Sequence, residues 1–139
     1  MSDDVRRLAD RLAVQDVMAR YARHVDEREL DDFRALFDPN VQVEGMAPHT
    51  LDGVEPWLEV VQTTLGRFGK TQHMLGPVLA EIDGDHAHAR TDLQAIHANL
   101  PPATGLFTLW GTYHTEMARG ADGWRIVRHR LAVTHVEGS

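Results

Sequence analysis

The sequence predicts an α+β domain in which helices cover one face of a curved antiparallel sheet, and three observations predict it. Apolar residues recur at helical spacing in the N-terminal half, and the pattern changes to period two from Thr71 onward. The alternating half is broken by hairpin punctuation at Asp83-Gly84, at Pro101-Pro102 with Gly105, and at Gly120-Ala121-Asp122-Gly123. Helices first and strands afterwards is the order of an α+β domain.

Residues 5 to 25 carry Leu8, Leu12, Val17, Met18, Tyr21, Ala22 and Val25 on one stripe, with Arg and Asp on the other side, which predicts one long amphipathic helix. Residues 29 to 37 repeat the pattern through Leu30, Phe33, Leu36 and Phe37, and Asp38-Pro39-Asn40 stops it. Residues 41 to 44 alternate as a brief strand. After a loop holding Pro48 and Gly53, Pro56 suits a first helical turn, and Trp57, Leu58, Val60, Val61, Leu65 and Phe68 predict a third helix. Four extended runs follow, at about 71 to 82, 86 to 99, 106 to 118 and 124 to 136. Strands usually run about five or six residues, so these are expected to twist, bulge and curl. A curled sheet closed by amphipathic helices encloses a concavity suited to a ligand.

The 139 residues form a single domain, 1–139, without repeats or linker-like tracts. Lys and Arg number 14 against 21 Asp and Glu, a net charge of −7 with no long basic run, which disfavours nucleic acid and acidic membrane surfaces as partners. The absence of cysteine removes disulfide scaffolds, zinc ribbons and thiol nucleophiles. No apolar run approaches a bilayer span, and Met1-Ser2-Asp3-Asp4 lacks the basic and apolar regions of a signal peptide, so a cytoplasmic location is expected.

Nine histidines are the residues to explain. In the run 86 to 99, Ala87, Ala89, Thr91, Leu93, Ala95 and His97 share the core parity, which turns His97 inward and His86 and His88 outward. Asp26 lies one helical turn after Ala22 and two after Met18, on the inner side of the first helix and near the negative end of its dipole, where a carboxylate is costly. Two readings of Asp26 stand side by side. It is either functional or, given the capping-box spacing of Asp26-Glu27-Arg28-Glu29, the N-cap of the second helix. Both sides of the strand around His73 are mixed, so parity assigns it no face. His114 shares a parity with Trp110, Thr112 and Glu116, against Leu109, Tyr113 and Met117, and Arg128 and His129 cannot both point inward. Gly66-Arg67-Phe68-Gly69-Lys70-Thr71 lacks the glycine spacing of a phosphate loop, and His86-Ala87-His88 has no nearby third ligand, so no metal site is assigned.

Arg11-Leu12-Ala13-Val14-Gln15-Asp16 with Tyr21, then Val25-Asp26 and Leu36-Phe37, then Thr71-Gln72-His73 with Gly76, and finally Ala121-Asp122-Gly123-Trp124 resemble, in order and spacing, the SnoaL-like branch of the nuclear transport factor two-like superfamily. The resemblance covers nearly the whole chain. It implies a cone of curved antiparallel sheet closed by about three helices from the N-terminal half, also known as a cystatin-like fold. It is similar to scytalone dehydratase and hexachlorocyclohexane dehydrochlorinase, in which an aspartate matching Asp26 pairs with a histidine matching His73. A second histidine of scytalone dehydratase falls near His97 and its pocket asparagine near His114, while Tyr21 and Asp26 resemble the tyrosine and aspartate of bile-acid dehydratases. Two tyrosines of scytalone dehydratase are replaced, at Val25 and near Gly45, which argues against scytalone itself as substrate. Relatives are commonly dimers or trimers, so a homodimer or homotrimer is expected.

The resemblance implies a lyase of dehydratase type, with His73 as base, Asp26 as its orienting partner, and His97 and Tyr21 polarising a carbonyl or protonating a departing hydroxyl. Contacts to a small hydrophobic cyclic or polyketide-like substrate are assigned to Val25, Leu93, Trp110, His114 and Arg128. The chemistry requires no cofactor and no metal. An isomerase or polyketide cyclase would use the same pocket, and a non-catalytic ligand-binding module would leave Asp26 and His73 apart and the pocket filled by side chains.

Overall fold

The computed structural model describes residues 2–138. Helix α1 (Asp3–Asp26) is capped by the Ser2 side chain, which accepts from the Val5 amide, and its acidic first turn and basic last turn both suit the helix dipole. A short α2 (Leu30–Arg34), β1 (Phe37–Glu44), the two-residue β2 (Leu51–Asp52) and α3 (Val54–Leu65) follow. Four long strands then complete the chain: β3 (Phe68–Asp83), β4 (His86–Asn99), β5 (Leu106–Gly120) and β6 (Gly123–Glu137). They form one open six-stranded sheet in the order β2-β1-β6-β5-β4-β3.

The predicted α+β architecture and the helices-then-strands order hold, with four local differences. The sheet is not wholly antiparallel, because β1 runs parallel to β6. The second helix ends at Arg34 rather than 37: the Leu36 carbonyl already accepts from the Ile126 amide, so Leu36 and Phe37 pack into the core as the chain joins the sheet, and the strand predicted at 41 to 44 begins at Phe37. Phe68 opens β3 instead of closing the third helix. Leu8 and Leu12 are exposed, and the buried side of that part of α1 is held by Asp10, whose carboxylate accepts two 2.8 Å bonds from Arg119 at the end of β5. That fork is the geometry in which arginine binds carboxylate most firmly, and it ties the start of the helix to the far hairpins.

Four bulges bend the long strands and decide which side chains face inward. Between the pairs Phe68/Asn99 and Thr71/His97, β3 advances three residues against two in β4. Between the pairs Leu75/Leu93 and Val78/Thr91, β3 advances three residues against two in β4, an extra residue at Gly76-Pro77. Between Met117/Ile126 and Glu116/Arg128, β6 carries Val127 as the extra residue, and a further one at Thr134 lies between Gly111/Val133 and Trp110/His135. Each extra residue reverses the facing parity beyond it. The sheet therefore curls around α1 and α3, with Tyr21, Phe33, Phe37 and Trp57 in edge-to-face contacts at its centre. No helix among the described residues is long and apolar enough to cross a membrane.

Candidate active site

Between the C-terminal half of α1, α3 and the concave face of β3 to β6 lies a cavity of about 260 Å³. Its wall is mostly apolar, aliphatic and aromatic, with Val25, Trp57, Phe68, Leu93, Phe107 and Leu109 among the lining residues, and His73, His97, Tyr21, Tyr113 and Thr64 supply polar side chains. A volume just below the usual range of roughly 300–1,000 Å³ suits a molecule of one or two rings.

Asp26 closes α1 and meets β3. Its Oδ1 accepts from His73 Nδ1 at 2.8 Å and from the Thr71 hydroxyl at 3.0 Å, while Oδ2 accepts from the His73 amide at 2.7 Å. The capping alternative is thereby removed: the N-cap position of α2 is Glu29, which makes no side-chain capping bond, and the Glu29 carboxylate bonds instead to His24. Burial pushes the Asp26 carboxyl up, but the bonds from the His73 ring and amide and from Thr71 outweigh it and hold it below the usual carboxylate value. An ionised Asp26 can only accept, so His73 carries a proton on Nδ1; its Nε2 has no hydrogen-bond partner among the described residues, and in the neutral imidazole that atom is an acceptor.

A residue to which no sequence pattern gave a role holds this arrangement. Arg28 has a left-handed backbone, φ 60°, immediately beyond α1, and its guanidinium donates to the carbonyls of Val25, Asp26 and Gly69 and to the Thr71 hydroxyl at 2.9 Å. Because that donation leaves the Thr71 proton directed at Asp26, a single chain of donors runs from Arg28 through Thr71 to the carboxylate. A left-handed arginine costs about 1–2 kcal/mol in local strain, which the four bonds offset.

His97 faces the cavity, paired with Thr71 across the sheet, its ring 5.9 Å from that of His73. Its Nδ1 donates to the Phe107 carbonyl at 3.1 Å. Burial lowers its pKa, so it is neutral near pH 7, with Nε2 again an acceptor. This revises the part drawn for His97 from the resemblance: an acceptor cannot polarise a carbonyl, though it can receive a hydrogen bond from a substrate hydroxyl.

At the other end of the cavity stand Tyr21 and Tyr113, with ring centroids 5.2 Å apart. Behind them His129 is completely buried, its Nε2 3.0 Å from the Tyr21 hydroxyl and its Nδ1 3.0 Å from Thr115 Oγ1. Burial raises both tyrosines above their usual range, so they stay protonated, and it pushes the His129 imidazole down to about 3.

Three residues assigned to substrate contact point elsewhere. The Val127 bulge reverses the parity of β6, so His129 takes the inward position, while Arg128 faces out and pairs with Glu44 at 3.0 Å. His114 lies on the outer face of the sheet, its ring 6.1 Å from that of His88, and Trp110 lies against His135. Val25 and Leu93 line the cavity. Tyr113 was within reach of the sequence, since it shares the core parity with Leu109 and Met117; His129 was not, because its facing depends on a bulge. Away from the cavity, His24, Glu29 and Asp32 bring ligand atoms close enough to hold an ion.

Residues 6–130 match the SnoaL-like domain family. Uncharacterized proteins of Mycobacterium tuberculosis H37Rv and Mycobacterium bovis are each 32% identical to this chain over 130 residues, covering 89% of it and 85% of their own length. Among solved structures, the fold is similar to that of a scytalone dehydratase-like protein from Novosphingobium aromaticivorans, with a TM-score of 0.86 at 20% identity over 94% of this chain and 88% of that one. It is also similar to a hexachlorocyclohexane dehydrochlorinase from Novosphingobium barchaimii, with a TM-score of 0.85 at 18% identity over 97% and 93%. At such identities the structural likeness speaks for the fold alone.

Proposed function

The chain belongs to the SnoaL-like domain family, and from that premise we propose that it is a lyase of dehydratase type acting on a small hydrophobic cyclic ketone that carries a hydroxyl β to its carbonyl. The observation that carries the proposal is the 2.8 Å bond between Asp26 and His73 at the wall of an open, apolar cavity. A module that merely binds a ligand has no use for a carboxylate that fixes an imidazole tautomer.

His73 Nε2 takes the proton α to the carbonyl, and the electrons of that C–H bond form the enolate. The adjacent Asp26 carboxylate stabilises the imidazolium so produced, an attraction stronger in an apolar cavity than in water. The enolate then re-forms its carbonyl, the bond to the β-hydroxyl breaks, and the imidazolium returns its proton to the departing oxygen. The products are an enone and water, with His73 restored. His97 Nε2 receives the proton of the substrate hydroxyl as a hydrogen bond and so holds the leaving group near His73.

Incubation with 3-hydroxycyclohexanone, followed by the ultraviolet absorbance of cyclohexenone, tests this reading. Turnover is expected in the native protein and is lost on His73→Ala. Isomerisation or cyclisation would begin with the same proton transfer, and product mass separates them: loss of water supports elimination, and an unchanged mass supports either of the others.

A further inference from the structure

The cavity has a mouth, and the course of the strands decides what surrounds it. Of the residues that line the cavity, three are exposed: Gly45 just beyond β1, Thr64 on α3 and Val133 on β6. On the β6 side the sheet has lost its neighbour. β1 pairs with β6 only as far as Glu44 and Arg130, and the left-handed Gly45, φ 82°, then turns the chain away. Any larger residue is excluded there, because its Cβ would collide with the Leu131 carbonyl oxygen. Further along β6, the extra residue at Thr134 sets both Val133 and Val136 on the concave face, opposite Gly111 and Leu109, and leaves His135 on the outer face against Trp110. Unbroken alternation from Val133 would have put the His135 imidazole on the concave face instead. Val133 is 54% exposed and Val136 45%, so an apolar apron runs outward from the mouth along the free edge of β6.

The apron is aligned with the base. His73, Ala95, Leu109 and Val136 occupy one row across β3, β4, β5 and β6, three strand spacings or roughly 14 Å from end to end. In the adjoining row of Leu93, Gly111 and Val133 the middle residue has no side chain, so the floor is lowest on the way from the cavity to the edge. A ring that offers its acidic hydrogen to His73 lies over Ala95, and a substituent on its far side is directed over Leu109 toward Val136. Exposed apolar surface that continues the lining of a cavity marks a binding groove. We infer that the site takes a ring ketone bearing an unbranched alkyl chain, with the ring inside the cavity and the chain leaving through the mouth across Val133 and Val136. This deepens the proposed function by naming its substrate class, and it rests on reading the cavity as the reaction site. The chain orients the ring: with the alkyl group on the apron, the opposite side of the ring is the one presented to His73.

Binding of 4-methyl-, 4-propyl- and 4-pentylcyclohexanone to the full chain, followed by the fluorescence of Trp57 in the cavity wall, tests the inference. A fully buried methylene raises affinity about fourfold, and one lying on an open apron gains about half that free energy, about twofold. The pentyl ketone should therefore bind roughly fourfold more tightly than the propyl ketone, and Val136→Ser should bring that ratio below twofold. Equal affinities for the propyl and pentyl ketones in the native protein would overturn the inference, and so would a pentyl preference that survives Val136→Ser. Sedimentation velocity on the native protein and the variant detects the other occupant of the edge: an oligomer that Val136→Ser splits into monomers would give the apron to a second copy of the chain and likewise overturn the inference. Failure of the lyase reading looks different, since the pentyl ketone would still be preferred but 3-hydroxycyclohexanone would not be turned over.

Discussion

Replacing Asp26 by asparagine is the sharpest test of the base. The carboxylate receives three donors, the His73 ring and amide at 2.8 and 2.7 Å and the Thr71 hydroxyl at 3.0 Å, and offers two oxygens to do so. Asparagine has one oxygen and one NH₂. If its oxygen stays toward the His73 ring, its NH₂ confronts the His73 amide donor. If it flips, its oxygen takes that amide, and its NH₂ faces His73 Nδ1, which must now accept. The ring proton then moves to Nε2, and the atom facing the cavity becomes a donor that cannot remove a proton. Loss of one or two charge-assisted bonds, partly offset by no longer burying a charge, should lower stability by about 2 kcal/mol. Loss of the correct tautomer should lower proton abstraction by about 10³- to 10⁴-fold. The assay is exchange of the α-hydrogens of 1-tetralone in D₂O, read by proton NMR, which reports the base whether or not a group is later expelled. A folded Asp26→Asn protein exchanging within tenfold of the native rate would refute the assignment of His73 as the base held by Asp26.

Acid should weaken the fold through His129. Its pKa falls from about 6.5 in the unfolded chain to about 3 in the native one, so between those values the unfolded chain binds a proton that the native chain refuses, and stability drops as pH falls, by about 1.4 kcal/mol per unit. Urea unfolding should therefore show a loss of about 2 kcal/mol between pH 7 and 5, largely abolished in His129→Asn. His97, whose pKa is also lowered by burial, acts in the same direction. At Arg28, glycine and alanine each remove the four guanidinium bonds, but glycine accepts φ 60° freely, so Arg28→Gly should be about 1 kcal/mol more stable than Arg28→Ala in denaturant titrations. Both should slow α-hydrogen exchange by roughly tenfold, because Thr71 no longer aims its proton at Asp26. Ala95 is buried, lines the cavity and pairs with His73 across the sheet, so Ala95→Leu should fill space beside the imidazole. The variant should keep its melting temperature and lose 1-tetralone binding by calorimetry.

The order of helices and strands, the curl implied by strands of 14 to 16 residues, and the inward face of β4 were legible in the sequence, because each rests on a period that local residues carry by themselves. So was the placement of Asp26 on the inner side of α1, since helical spacing alone puts it below Met18 and Ala22. The partner of that carboxylate was not legible from pattern. His73 lies between mixed neighbours on a strand whose facing changes at Gly76-Pro77, and only the pairing with β4 shows which way it points.

The same holds more strongly for β6. A single extra residue, Val127, exchanges Arg128 for His129 on the inner face, and with it a surface cation for a buried neutral imidazole. A bulge is a relation between two strands: it exists only when Met117 and Glu116 are set against Ile126 and Arg128, and neither strand alone announces it. Arg28 illustrates the same limit, as a charged residue just beyond a helix whose four acceptors lie on α1 and on a strand some forty residues further along. Local periodicity determined the elements and the face each presents to the core. Register, bulges and the left-handed turn, which depend on contacts between distant segments, decided which polar side chains meet inside the cavity.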